Sequence, residues 1–388
     1  MNFALTERQQ AIHDQVGELG RTCFAPRAAA HEAAGRTPAD NLDELFKAGL
    51  FGATIAAERG GLDGGPLHSD PLLPLLVVEQ TARYCPSTAQ SIHIHFNLSH
   101  RLDVVGTPEQ RARILPGILK HGHLVNGTAS EPGRTARGLY NLQTTAEKVD
   151  GGWLLNGHKN YATLGDVARW FTISAVIKGQ KAPEGHLTFL VPAKAEGLRV
   201  IADSWNTYGL RAAYSPDLLL ENVFVPDRDV LGEPGETARN KWQAKAHLSF
   251  AAQYIGSSEG IFDFLVDYLP KRGTAGDSYA QLRLGEMRIA TDAARWMVYR
   301  AAWLWQAGDL AAAELFSMNA KYQAMESARL VIDRAPQIAG SSALAADSVL
   351  SRFLRDLRYQ LLHENQDKTA ATVGKYHLGQ NFDVTARL

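Results

Sequence analysis

His93, His95 and His100 crowd a run of eight residues, and imidazoles that close invite metal or acid–base chemistry. The surrounding apolar spacing, Thr88 to Leu102, is helical. At about 100° per residue His93 and His100 then share a face while His95 points nearly opposite. The three cannot converge on one ion, so no metal site is expected, and a single histidine lining a cavity is the better use of the cluster. Gly256-Ser257-Ser258-Glu259-Gly260 matches G-x-S-x-G, the turn that presents a nucleophilic serine between strand and helix. Both flanks, residues 251–255 and 261–265, read as helix instead, so the expectation is a small-residue contact between helices. No G-x-G-x-x-G follows a strand and no G-x-x-x-x-G-K-[ST] occurs, which removes a nicotinamide fingerprint and a P-loop.

The elements that must position such residues change character along the chain. Thr6 with Gln9 forms a capping box, and Ile12, Val16, Leu19 and Cys23 follow at helical spacing. Further helical stretches run to about residue 120, interrupted by a glycine-rich break at 60–66. After His123 β-branched and aromatic residues alternate with polar ones. Asp150-Gly151 and Asn156-Gly157 are hairpin-turn dipeptides around a short strand at 153–155, and Pro192 and Pro226 close two later strands. From about Thr237 the pattern returns to long helices, with Leu284, Met287, Ala294, Met297 and Ala301 marking a buried face. The division is 1–122 helical, 123–235 β, 236–388 helical bundle, an α+β fold.

Charge balance narrows the partners. Forty Lys and Arg against 41 Asp and Glu leave a net charge of −1 over 388 residues, without the basic tract of a nucleic-acid or anionic-membrane binder. Two isolated cysteines, no signal-peptide pattern and no long apolar run make a reducing cytoplasm the expected location.

Three segments carry a specific likeness: Thr128-Ala129-Ser130-Glu131-Pro132-Gly133, Asn156-Gly157-His158-Lys159-Asn160-Tyr161-Ala162-Thr163, and Gln337-Ile338-Ala339-Gly340-Ser341-Ser342-Ala343-Leu344 with Asp347, Arg352 and Asp356 beyond. With Tyr208–Arg211 and Asn222–Pro226 they resemble the acyl-CoA dehydrogenase superfamily over essentially the whole chain. The resemblance implies an N-terminal helical domain, a middle β-barrel or sandwich domain and a C-terminal four-helix bundle. It also implies a homotetramer and a flavin, FAD or FMN. Ser130 would meet the flavin's pyrimidine edge, Tyr161 would lie beside the ring and Thr163 would face N5. Gln337, Gly340 and Ser341 would reach a neighbouring subunit's cofactor, with Arg272 as a further cofactor contact.

Departures from the pattern separate two chemistries. Arg134-Thr135-Ala136-Arg137 replaces the Gly-Ser-Asp element that helps hold an acyl-CoA, the aromatic of Arg-x-x-Phe-Gly is missing at Arg272–Gly276, and Ala343 replaces a glycine. Residues 355–365 align without a gap on the dehydrogenase segment bearing the catalytic base, which falls on Glu364. The same residues, with Val373-Gly374-Lys375-Tyr376, look more like the superfamily's flavin-dependent monooxygenases, whose key histidine falls on His363. That branch implies a small organic substrate, reduced flavin supplied by a separate reductase, His363 as acid or base and His95 as a second pocket histidine. A dehydrogenase would instead use Glu364 to remove a substrate α-proton.

Overall fold

The computed structural model describes residues 4–133, 142–363 and 365–380. Helices α1 (Glu7–Leu19), α2 (Ala25–Ala34), α3 (Ala39–Lys47), α4 (Leu73–Tyr84), α5 (Pro86–Val105) and α6 (Pro108–His121) form the first layer. Both helices that begin after a threonine carry complete capping boxes, Thr6 with Gln9 and Thr107 with Gln110, which satisfy amide groups a helix start leaves unpaired.

The β segment is one mixed sheet of eight strands. They are β1 (Leu124–Thr128), β2 (Thr145–Val149), β3 (Gly152–Lys159), β4 (Ala168–Ile177), β5 (His186–Pro192), β6 (Leu198–Ile201), β7 (Asp217–Pro226) and β8 (Val230–Leu231). Strand order is β6-β7-β3-β2-β4-β5-β8, with β1 parallel to β4. Asp150-Gly151 makes the β2–β3 turn, Gly151 taking φ +71°. Asn156-Gly157 is not a turn, contrary to its sequence signature. It is a bulge inside β3, where the register against β7 shifts between Leu155 and Gly157. A Cβ at Gly157 would strike Thr144, so the glycine serves close packing and strand pairing overrides the local turn preference.

After the short α7 (Glu236–Arg239), the long helices α8 (Trp242–Arg272), α9 (Ser278–Gln306), α10 (Leu310–Ala339) and α11 (Val349–Gln360) pack as a bundle, and α12 (Gln366–His377) lies on α10. The bundle is joined to the first layer where α4 crosses α8. Gly256 and Gly260 of the G-x-S-x-G run face the α4 carbonyls of Glu79 and Arg83, and a Cβ at either would collide with them. Ser258 is buried and donates to Tyr254 O at 2.7 Å, so the motif is a close helix contact and not a nucleophile turn. Helix α5 runs between α8 and β1, which makes it the natural wall of a site shared by all three layers.

Candidate active site

The strands leave the sheet side by side where β1 and β3 end. Asn160 N donates to Ser130 O at 3.1 Å, and Ala162 N and Leu164 N donate to Pro216 O and Tyr214 O. Tyr161 and Leu164 both hold left-handed backbone, at φ 59° and 68°, a strain seldom kept in non-glycine residues away from working sites. Below them Lys159 is fully buried and bonded to Glu131 at 2.9 Å, while Glu131 also accepts from Thr144 N and Oγ1. Burial opposes ionisation of Glu131, yet Lys159 and the Thr144 bonds hold its carboxyl below the usual range.

Ser215 gives its proton to Ala213 O, so in the 2.8 Å contact with Thr163 the Thr163 hydroxyl must donate. That leaves the Thr163 oxygen as an acceptor. Asn160 Oδ1, buried, has no partner among the described residues, and Tyr161 is 42% exposed. Uncharged acceptors beside an open aromatic surface suit a planar heteroaromatic group such as a flavin, whose ring edge carries N–H donors. Ser130 thus lies beside the segment that carries Tyr161 and Thr163, joined to it by the Asn160 N–Ser130 O bond.

An arc of rings runs from this surface into the helices. Tyr161 meets Trp205 at 6.4 Å between centroids, Trp205 meets Tyr359 at 6.0 Å, and Tyr359 meets His363 at 6.5 Å, all edge to face. His363 closes the short turn after α11 and lies 5.5 Å from Phe250 of α8, against which His93 also packs at 4.5 Å and Lys321 Nζ at 4.9 Å. His93 is fully buried, and its Nδ1 is 3.3 Å from both Asn97 Nδ2 and Ser249 Oγ. With the Asn97 amide donating, Nδ1 is the acceptor and Nε2 carries the proton. Burial first, then the proximity of His363 and Lys321, pushes the His93 pKa well below the ordinary histidine value.

The second pocket histidine expected at position 95 is corrected by this geometry. His95 Nδ1 accepts from Val125 N and its Nε2 donates to Phe51 O, each at 3.3 Å, so the ring bolts α5 to β1. Its pKa is pushed down to about 4 by burial. Of the three clustered histidines, His93 faces the Phe250–His363 group and His100 lies on a cavity wall. The sequence showed that these two share a face; which partners the face meets depends on residues some 150 positions away.

That cavity, about 260 Å³, lies between α4, α5, the β1–β4 edge and α8. Asn97, Ser249 and Phe250 line it beside His93, and among the described residues its wall carries no carboxylate. Glu364 lies outside the described residues.

Arg272, Gln337, Gly340 and Ser341 occupy a different place. Arg272 donates to Ala339 O where α8 meets the end of α10, and Gly340 beside it takes φ +75°. Gln337 and Ser341 are exposed. Arg272 stands twenty-two residues beyond Phe250 on one helix, roughly 33 Å away at about 1.5 Å per residue. Within one chain, these four cannot serve the Tyr161–His363 arc.

Residues 6–121, 128–223 and 244–364 match the N-terminal, middle and C-terminal domains of acyl-CoA dehydrogenase respectively. The chain belongs to the acyl-CoA dehydrogenase superfamily. It is 27% identical to the short-chain-specific acyl-CoA dehydrogenase of Clostridium acetobutylicum, over 96% of this chain and 98% of that one. It is 26% identical to cyclohex-1-ene-1-carbonyl-CoA dehydrogenase of Geobacter metallireducens, over 95% of this chain and 97% of that one. Among solved structures, butyryl-CoA dehydrogenase from Megasphaera elsdenii superposes with a TM-score of 0.88 at 24% identity, covering 97% of this chain and 100% of that one. FMN-bound TdsC from Paenibacillus sp. A11-2 superposes at 0.86 and 23%, covering 97% and 99%. The same TdsC is described as a dibenzothiophene monooxygenase. Among the described residues no helix is long and apolar enough to cross a membrane, and no group of three or more His, Cys, Asp or Glu could hold a metal ion.

Proposed function

We propose that this protein is a reduced-flavin-dependent monooxygenase that oxygenates a small organic molecule held in the 260 Å³ cavity. The observation that carries the reading is that His93 and His363 both pack against Phe250, a residue lining a cavity whose described wall has His100, Arg101, Lys245 and several hydroxyls and no carboxylate. Bound flavin, FMN or FAD, supplies the reducing electrons and the reaction with dioxygen. Ser130, Asn160 and Tyr161 hold its ring, and the acceptor oxygen of Thr163 suits the N5–H of the reduced form. His363 gives and takes the substrate's proton, and His93, kept neutral by burial, packs behind Phe250. Leu75, Val78, Leu98 and Leu248 supply apolar wall to the cavity. A separate reductase delivers the reduced flavin. The Arg272–Ser341 cluster serves the flavin of another copy within a homotetramer.

A second reading, an acyl-CoA dehydrogenase with Glu364 as base, is favoured by the names of the curated relatives. Anaerobic addition of acyl-CoAs of graded chain length to the protein loaded with oxidised flavin separates the two. The monooxygenase reading expects the flavin colour to persist with every thioester. Bleaching by any of them, abolished in Glu364→Gln, establishes the dehydrogenase.

A further inference from the structure

Between residue 59 and α4 the chain makes a turn that forms part of the cavity wall and is tied to α5 by a histidine with an acceptor on each side. Its tip, residues 65–70, closes on itself through Gly65 N to Asp70 O at 3.2 Å and His68 N to Gly65 O at 3.0 Å, and Gly65 and Pro66 line the cavity. The tip is seated closely, since a Cβ at Gly65 would stand 2.9 Å from His100 Nδ1 of α5. Side-chain amides reach it from two other helices, Gln9 of α1 to Asp70 Oδ1 at 2.9 Å and Gln306 of α9 to Ser69 O at 3.1 Å. The tie to α5 is ionic. His68 Nδ1 lies 2.9 Å from Gly64 O, and its Nε2 lies 3.1 Å from the buried carboxylate of Asp103.

Neither acceptor has a proton to give. Asp103 also accepts from Arg59 Nε and Nη2 at 2.5 and 2.9 Å and from Ala56 N at 3.1 Å. Burial opposes its ionisation, yet His68 and Arg59 hold its carboxyl well below the usual range. Both nitrogens of His68 must therefore donate, which an imidazole does only as the imidazolium. Burial opposes that charge too, but the bonds to Asp103 and Gly64 O outweigh it and raise the His68 pKa above 6.5. The charged groups facing the ring among the described residues are Asp103 of α5, Asp63 of the same turn and Arg59 with its partner Glu58. His100, whose ring meets that of His68 edge to face at 4.7 Å, is kept neutral by burial, and Lys245 of α8 lies beyond it. We propose that His68 is a pH-operated latch: as the imidazolium it seats the 65–70 tip against α5 and closes that side of the cavity, and on losing its proton it lets the tip move away. A neutral imidazole keeps one N–H and turns a lone pair toward either Gly64 O or Asp103, so either the turn itself or its tie to α5 is lost. Because the pKa is raised in the seated form, the latch is fully present below pH 6.5 and is lost as pH rises through the raised value. The device works the same way whichever reaction the flavin carries out.

Hydrogen–deuterium exchange of the full-length protein reads the tip directly, without flavin, oxygen or substrate. Rates are compared between about pH 5.5 and about pH 8.5, each divided by the intrinsic rate of the unprotected sequence at that pH. The amides of Gly65 and His68 are expected to open about tenfold more often at the higher pH, the fold-change for losing one hydrogen bond to a charged group, while the amides of α4 keep their protection. His68→Gln offers a donor but does not titrate. It is expected to open more than the wild-type protein at the lower pH and to show no step between the two. A wild-type protein without the step overturns the latch, as does a step that persists in His68→Gln or one of equal size in α4, which would mark a general loosening. Should His68→Gln not fold, His68→Asn takes its place, loss of the step supporting the latch and retention overturning it.

Discussion

His93 and His363 pack against one phenyl ring but live in different surroundings. His93 is sealed in with its tautomer set by Asn97 and Ser249, whereas His363 is half-buried at the end of a short turn, where a proton can be exchanged with solvent. The chemistry should therefore be lost first at His363. His363→Ala is expected to reduce product formed per reduced flavin consumed by about 10²-fold, with the missing oxygen recovered as hydrogen peroxide, measured by product and peroxide assays on the same samples. His95→Leu should do the opposite. Losing its bonds to Val125 N and Phe51 O is expected to cost about 1–3 kcal/mol in urea unfolding while turnover of the folded fraction is unchanged. Ser130, Tyr161 and Thr163 were named through the family resemblance, and what the structure adds is that the segments following β1 and β3 run side by side there, Asn160 N bonding Ser130 O. The histidines were legible only as a helix face, since Phe250, Ser249 and Thr54 decide what that face meets and come from other elements.

Helices α4, α8 and α9 are held by the crossing at Gly256 and Gly260 and by a partly buried charge cluster. Arg295 bridges Glu79, Glu259 and Asp292, and Arg288 pairs with Glu259 and Asp292. Although burial alone would raise it, these partners lower the Glu259 pKa from 4.5 to about 2. A depressed carboxyl contributes stability that is present above pH 4.5 and lost as pH falls toward 2. Acid titration of unfolding should show this loss, and Glu259→Gln should flatten it. Gly256→Val forces α4 away from α8, and a fall in stability of about 1–3 kcal/mol or more is expected by thermal unfolding. The helix starts at Thr6 and Thr107 could be read directly because capping is local. Asn156-Gly157 misled because its glycine answers to Thr144 across the sheet.

Across the whole molecule, a buried acid is among the contacts that tie the bundle to the β segment. Asp356 of α11 accepts from Leu210 N at 2.7 Å, and burial pushes its pKa from 3.8 up to about 7. A carboxyl raised in this way favours the folded state most fully below pH 3.8, and its contribution is lost as pH rises through about 7. Asp356→Asn keeps an acceptor for Leu210 and should remove that part of the pH dependence between about 4 and 8, seen as a smaller shift of unfolding midpoint. The helical, β, helical order was readable from periodicity along the chain. The separation of the Arg272 cluster from the Tyr161–His363 arc was not, because distance along a helix emerges only once the fold is built. The most direct test of the account is rapid mixing of the anaerobic reduced-flavin complex with oxygen, following oxidised-flavin absorbance. The monooxygenase account predicts that oxidised flavin returns only after a clear lag, shortened in His363→Ala. Immediate return with stoichiometric hydrogen peroxide in the wild-type protein would contradict it.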